Sequence, residues 1–455
     1  MPTWTRVLLR VCAAFAVSAF ACASAYAADW PQFGRTPRHL NTNPAETAFS
    51  AANISGLQVV WKAHFGNNVA TEGGPVIAGS RLFVAGFDGR LSAFDMAGCG
   101  AASCEPLWQG RARNDFTSTP AVVDGRVYVA SADHFLYVFD AAGCAAATCP
   151  PLWRGQLQDG SIDSSVAVVN GMAFVGDYSG HLYAFDANGC AMSTCAPLWV
   201  GIAGPNEQLL SAPAVADGHV FIASTISTPE DMTGRLLVYA IGGCDAQPCA
   251  PEWTADLGGP AGRTASPLIA NGTFYVGSSR RFGGPNTSDH LFAFPTAGCG
   301  AAVCTASQVF DVGPDGIETA LALSGGRLFA STNTSPRPNR VGVVAAFNLA
   351  GCGARCKPAW TGVNSTEGFV SPPVVAGDMV FVGKGPASGI NIDSGVFAYD
   401  VRGCGARVCE ALTLVVPGPD QNYPGAPLAI GQGRIAFVSN DNSDGHSNVV
   451  IMALP

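Results

Sequence analysis

Hydrophobic positions along this chain fall in short runs, and the runs recur in sets of four. The stretch Ser118 to Gly155 (STPAVVDGRVYVASADHFLYVFDAAGCAAATCPPLWRG) shows one set in full. Ala121–Val123 is apolar and stops at the turn pair Asp124-Gly125. Arg126–Ala130 alternates, with Val127 and Val129 on one face. Phe135–Phe139 is aromatic and β-branched, and Leu152–Trp153 closes the set behind a cysteine-bracketed loop. Short runs of this kind between Gly, Asp and Asn turns predict antiparallel β-hairpins, with no helical period among them.

The set repeats to the end of the chain. Copies of its first three strands start near Gly74, Thr119, Ser165, Ala212, Ser266, Thr319, Ser371 and Gly425. Their second strands read RLFVAG, RVYVAS, MAFVGD, HVFIAS, TFYVGS, RLFAST, MVFVGK and RIAFVS. The third strands read LSAFD, LYVFD, LYAFD, LLVYA, LFAFP, VVAAF, VFAYD and VVIMA. A four-strand unit every ~50 residues has the period of a propeller blade. The fourth strand carries tryptophan four residues after a cysteine in Trp108, Trp153, Trp199, Trp253 and Trp360, and Phe310 and Leu414 are expected to stand in for it in the other two blades. The eighth copy reaches Pro455 with no fourth strand left. Leu57–Ala63 (LQVVWKA), with Trp61, has the missing character. The expected fold is therefore all-β: an eight-bladed β-propeller of four-stranded antiparallel blades, closed by an N-terminal strand in the last blade. Residues 28–56 are then an arm ahead of a propeller spanning 57–455.

Composition sharpens this picture. The chain has 455 residues, 55 of them glycine and 31 proline, with 13% charged, which suits a turn-rich, largely buried repeat protein. Arg6 and Arg10, an apolar run from Val11 to Ala21, and Ala25-Tyr26-Ala27 form a secretory signal over residues 1–27, with Ala28 as the expected first mature residue. The apolar run is too short for a membrane span, and Cys22 follows Ala19-Phe20-Ala21, a poor lipoprotein box. The expected location is periplasmic or secreted. Removal of the signal leaves 22 basic against 33 acidic residues, a net of −11, which sets aside nucleic acid and anionic membranes as partners.

Fourteen of the 16 cysteines remain after the signal, in seven close pairs: Cys99/Cys104, Cys144/Cys149, Cys190/Cys195, Cys244/Cys249, Cys299/Cys304, Cys352/Cys356 and Cys404/Cys409. In an exported chain such pairs are read as disulfides. The rival, zinc held between two pairs, would join different blades and leave one of seven pairs over. Each bridge closes a short loop worth about 2 kcal/mol, so it is expected to staple a hairpin without defining the fold. Seven bridges also fit eight blades, because the blade shared between the chain ends lacks the connection that carries them.

Strand alternation puts the cysteine loops and the first-to-second turns on one face. The second-to-third loops share the opposite face with the lead-ins to the innermost strands. Those loops are short in blades one to three (GFDGR, SADHF, GDYSGH) and long in blades four to eight, as in SSRRFGGPNTSDH and KGPASGINIDSG. Binding residues gather on variable loops of a rigid scaffold, so the functional face is expected opposite the disulfides.

Phe49-Ser50, Asn53-Ile54, Leu57 and Trp61, with Ala-Phe-Asp at the end of strand three (Ala93–Asp95, Ala184–Asp186) followed by Gly and then Trp, resemble the quinoprotein-type propeller. That family includes pyrroloquinoline-quinone (PQQ)-dependent alcohol dehydrogenases and outer-membrane assembly scaffolds. The resemblance runs from Trp30 to the end. It implies that Trp61, Trp108, Trp153, Trp199, Trp253 and Trp360 dock between blades. It also implies a quinone held between an adjacent-cysteine ring and a tryptophan, but no two cysteines here are adjacent and only Trp30 is spare. No Cys-x-x-Cys-His haem site occurs.

Candidate chemistry is correspondingly thin. Asp163, Glu318 and Glu367 are placed at the channel mouth as possible catalytic acids or bases, with Arg263 and Lys384 as possible cofactor-binding cations; solvated loop residues are the competing reading. Asn440, Asn442 and Asp444, with Gly445, match the first half of a calcium loop, against an Asx-rich turn. His181 and His290 hold one repeat position in different blades, which separates them. The expected function is a monomeric exported module that binds a protein, glycan or small ligand on its loop face, with no cofactor. The alternative is a PQQ- and calcium-dependent oxidoreductase acting on an alcohol.

Overall fold

The computed structural model describes residues 29–67, 73–158, 162–227, 232–257, 265–278, 290–312, 317, 319–332, 343–363, 371–384, 395–418, 421–422, 426–441 and 446–455. The signal expected over residues 1–27 lies outside them. The architecture is an eight-bladed β-propeller. Blade 1 runs Val76–Ala78, Arg81–Ala85, Arg90–Asp95 and Trp108–Arg111 from the channel outward, each antiparallel to the last. In six blades the first-to-second turn takes positive φ at both central residues, as at Asp124-Gly125 and Asn170-Gly171. This mirror-image turn matches strand twist and selects Asn, Asp and Gly.

Blade 8 joins the two chain ends. Gln58–Asn67 pairs antiparallel with His446–Ala453, with Trp61 opposite Ile451 and Ala63 opposite Val449. The observed strand runs four residues past the expected end at Ala63, with two register shifts. One core holds both termini, with Trp61, Phe65, Val449 and Ile451 in it.

The seven disulfides form between the expected partners, with Cα–Cα separations of 5.4–5.7 Å. The bridges also reach beyond the hairpins they close. The first cysteine of each pair is exposed, or half-buried in the case of Cys352, but the second is a buried core residue. Cys195 packs in the core between blades 2 and 3, and Cys249 in that between blades 3 and 4. Cys304 lies between blades 4 and 5, and Cys356 between blades 5 and 6.

The reason is a backbone pairing between blades. Each second cysteine runs parallel against the outer strand of the preceding blade. Cys195 is registered with Gly155, Cys249 with Gly201, Cys304 with Ala255 and Cys356 with Phe310. Likewise Thr148–Cys149 of blade 2 pairs with Gln109 and Gly110 of blade 1, and Val408–Cys409 of blade 7 with Thr361 and Gly362 of blade 6. In blade 1 the same contact closes the ring, since Lys62 of blade 8 donates to Ala102 and accepts from Cys104 at 2.9 Å each. Most blades therefore have five strands.

Tryptophan docks at the same joint. A Cβ on Gly143, which leads the blade 2 loop at φ +82°, would lie 2.6 Å from Trp108. Gly98 meets Trp61, Gly189 meets Trp153, Gly243 meets Trp199, Gly298 meets Trp253 and Gly403 meets Trp360 in the same way. Two residues after the tryptophan, Gly110, Gly155, Gly201 and Gly362 admit the ring of Phe139, Phe185, Tyr239 or Tyr399 from the next blade.

Phe310 and Leu414 do not take the tryptophan position. The register places Gln308 and Thr413 there, opposite Ala293 and Ala398. Gln308 instead donates from its amide to the Cys352 carbonyl at 3.2 Å. Phe310, two residues on, fills the place of the glycine and meets Phe347 edge-on at 5.3 Å. Leu414 points to the opposite face of its strand, packing on the blade 6–7 core, and Val415 faces blade 8.

These joints set a differential expectation. Gly143→Ala should lose about 1–3 kcal/mol more than Gly351→Ala. Both glycines have positive φ, but only Gly143 has tryptophan against it, and nothing lies within 4 Å of the Gly351 position. Urea unfolding of the two variants measures the difference; equal losses would show that the tryptophan contact carries no stability.

Candidate functional site

The arm, whose role the sequence leaves open, fills the disulfide-side end of the channel. It circles the axis once and meets the middle residue of every innermost strand. Trp30 and Ile77 of blade 1 exchange two backbone bonds at 2.9 Å. Val122 donates to Pro31, and Val168 to the Gln32 side chain. Val215 donates to Pro37, Ile269 to Arg38, Leu323 to Leu40 and Val375 to Asn41. The Asn43 amide then donates to Ile430 of blade 8 at 2.9 Å.

Carboxylates pin both ends of this lap to the inner turns. Asp29 accepts from the Gly79 amide and from Gln432, and Glu46 accepts from the Gly433 amide. Burial pushes the Asp29 carboxyl above its usual range against those hydrogen bonds.

The centre of the plug is aromatic. Phe33 packs on Ala212 and Ala320 from two different blades and meets His39 edge-on at 5.0 Å. Gly34 is required for the fold-back, since a Cβ there would lie 2.5 Å from the His39 Cα at φ +64°. His39 is 1% exposed, and its Nδ1 lies 3.0 Å from the Pro267 carbonyl, so that nitrogen carries the hydrogen. Burial lowers its pKa to about 4.

Above the plug, hydroxyls at the lead-ins tie the blades to each other. Ser164 accepts from Gly176 and donates to the Ser211 carbonyl of the next blade at 2.9 Å. Thr119 accepts from Gly74, and Ser266 from Ala212. These buried groups serve the ring and leave the loops as its variable part.

Three of the eight expected site residues are among the described ones. Asp163 is half-buried at the lead-in of blade 3, Lys384 is buried at the end of the second strand of blade 7, and Asn440 sits in blade 8. The Asn440 side chain accepts from the Ser447 hydroxyl across the strand pair at 3.2 Å. Arg263, Glu318, Glu367, Asn442 and Asp444 lie outside the described residues. Among the described residues, no three His, Cys, Asp or Glu side chains are grouped to hold a metal. His181 is occupied within blade 3, where Asp177 takes its backbone and ring nitrogens and the Tyr183 hydroxyl.

Sequence reasoning missed one charged group on this side. Glu207, buried in blade 4, accepts from Arg235, Ser224 and the Gly204 amide. Burial opposes its ionisation, but these bonds hold the carboxyl below the usual range. Its signal was hidden because Glu207 and Arg235 are 28 residues apart. The pair braces a small three-stranded sheet with Thr225–Ser227 and Met232–Thr233.

The quinone arrangement implied by the resemblance does not fit. Trp30, the spare tryptophan, is buried in the core at the arm's start, and the six later tryptophans sit at blade joints. None is left as a platform at the loop-side mouth, and the paired cysteines are all separated and bridged.

The same fold occurs in several known proteins. Residues 48–147 match the sequence profile of a family described as outer membrane protein assembly factor BamB. A europium-containing methanol dehydrogenase superposes with a TM-score of 0.68 at 13% identity, covering 94% of this chain and 98% of that one. The quinohemoprotein alcohol dehydrogenase of Comamonas testosteroni gives 0.64 at 13%, covering 94% and 80%. BamB of Moraxella catarrhalis gives 0.55 at 16%, covering 87% and 97%. No curated protein matches the sequence. The chain thus has the quinoprotein-type propeller fold, which serves both dehydrogenases and an assembly factor. No helix among the described residues is long and apolar enough to cross a membrane.

The buried His39 gives a pH expectation. Its folded pKa lies below that of the unfolded chain, so its contribution is complete above about pH 6.5 and is lost as pH falls toward about 4. The loss amounts to about 3 kcal/mol. In urea titrations, His39→Asn should flatten the fall in stability between those limits; an unchanged slope would remove His39 as its source.

Proposed function

We propose that this chain is an exported binding or scaffold module that takes its partner on the face opposite the disulfides. The observation that carries this reading is the plug. The arm occupies the channel from the disulfide side, and the cysteine loops on that side are consumed in blade-to-blade contacts. What remains for recognition is the opposite face, where the loops of blades four to eight differ most in length and sequence. The disulfides favour an oxidising compartment, and with the signal-like start they support a periplasmic or secreted location. The partner is a protein, glycan or small ligand, and the propeller acts as a monomer. The proposed role of Asp163 and Lys384 is to line or brace the approach to this face, without a cofactor.

Site-directed photo-cross-linking in the producing cell tests the reading. Probes in the loops at 279–289 and 385–394 should yield discrete adducts, and probes at Ala146 and Met192 among the cysteine loops should not. Adducts from the cysteine loops alone would reverse the assignment. In parallel, the purified chain should show no saturable binding of PQQ with calcium. Stoichiometric binding with alcohol-dependent dye reduction would replace the scaffold reading with a dehydrogenase.

A further inference from the structure

The docking rule that links successive blades stops at one place. In seven blades, the residue after the tryptophan position hydrogen-bonds the cysteine loop of the next blade, through backbone groups on both sides in all but blade 3, where the Val200 amide donates to the Gln247 side chain and its carbonyl accepts from the Cys249 backbone. Gln109 donates to Ala147, Thr254 to Ala302, and Thr361 to Arg407, at 2.8–2.9 Å. In blade 7 the residue at that register is Leu414, opposite Phe397. The next blade is blade 8, whose third and outer strands come from opposite ends of the chain, so it has no cysteine loop to offer. Among the described residues, no strand pairs with the outer edge of Thr413–Val415.

The composition of this edge is also different. At the tryptophan position and the three residues after it, every other outer strand contains glycine or a charged side chain, as in WQGR, WTAD and WTGV. Blade 7 reads Thr413-Leu414-Val415-Val416, all apolar or β-branched. Leu412 and Val416, flanking Leu414 on its side of the strand, are 45% and 38% exposed, as are their equivalents Leu198 and Ile202 in blade 3 at 57% and 37%, so the difference lies in Leu414 and Val415. Open edges in soluble proteins are commonly blunted by charge, and this one is not.

We propose that the outer edge of blade 7 receives an extended, uncharged segment of a partner protein, which adds to Thr413–Val415 as a parallel fifth strand. The seven occupied edges define the geometry: the incoming chain accepts from the Leu414 amide and donates to the Leu414 carbonyl. Main-chain bonds of this kind supply affinity in strand addition, and neighbouring side chains supply selectivity. Thr413 replaces the tryptophan that elsewhere demands a glycine above it, so the partner is released from that constraint. The inference stands on backbone register and is independent of the loop-face reading.

The probe is the oxidised peptide AAGCAAATCPP, which copies residues 141–151, the loop that docks on blade 1. Fluorescence anisotropy with the full mature chain should show saturable one-to-one binding, and hydrogen exchange should slow over residues 411–417. Methylating the backbone nitrogen of the peptide's second cysteine removes the donor to Leu414 and should weaken binding about tenfold. Val416→Glu should weaken it as well, with an unchanged urea midpoint. No saturable binding up to millimolar peptide, or equal binding of the methylated peptide, would overturn the proposal. A dimer in sedimentation that Val416→Glu dissociates would also overturn it, by making a second copy the occupant.

Discussion

A blade is a small sheet with two raw edges, and the ring holds together because other parts of the chain satisfy both in every blade but blade 7, where only the inner one is met. Buried backbone N–H and C=O groups left unpaired cost enough to forbid an open inner edge in a packed channel. The inner edges are met by the arm, one innermost strand after another from Ile77 to Ile430. The outer edges of the other seven blades are met by the cysteine loops, each reaching back to the preceding blade. The two devices differ in kind. One is a single lap of chain touching all eight blades; the other is a local contact repeated around the rim.

The rim contact explains why tryptophan, glycine and cysteine recur together. The bridge stiffens a loop whose leading glycine must lie flat on an indole and whose second cysteine must pair with a strand. That is why Cys195, Cys249, Cys304 and Cys356 are buried while the cysteines they bridge to stay nearer the surface. Blade 5 shows the rule by exception. With Gln308 in the tryptophan position, the glycine opposite it, Gly351, has nothing against it, and the large ring moves two residues along to Phe310. The joint keeps a large buried ring while changing which residue supplies it.

Because backbone and aromatic contacts carry the ring, the loops above it are free to vary. A propeller of this kind accommodates a quinone enzyme or an assembly factor without changing its frame, so fold alone does not choose between them. In this chain the choice is weighted by where the tryptophans went. Trp30 belongs to the arm, and the others belong to the joints, so the frame has used the residues that a stacked cofactor would need.

Much of this was legible in the sequence because it is periodic. The turn pairs, the cysteine pairs, the strand count and the orphan strand around Trp61 each repeat or complete a pattern, and closure of blade 8 followed from counting alone. The placement of Phe310 and Leu414 was not legible, since a two-residue slip keeps a side chain on the same face and a one-residue slip reverses it, and only the pairing register distinguishes them. The cysteine spacing announced the bridges but not their reach into the neighbouring blade, because a pairing between blades leaves no mark inside one repeat. Candidate charges such as Asp163 and Lys384 could be assigned to the loop side but not to one another, because their separation depends on which blades carry them. What the sequence determined by itself was everything that recurs: strands, turns, bridges and the number of blades. Only the tertiary structure decided what the unrepeated arm does, because its bonds go to eight strands spread over the chain, and no local pattern encodes a partner hundreds of residues away.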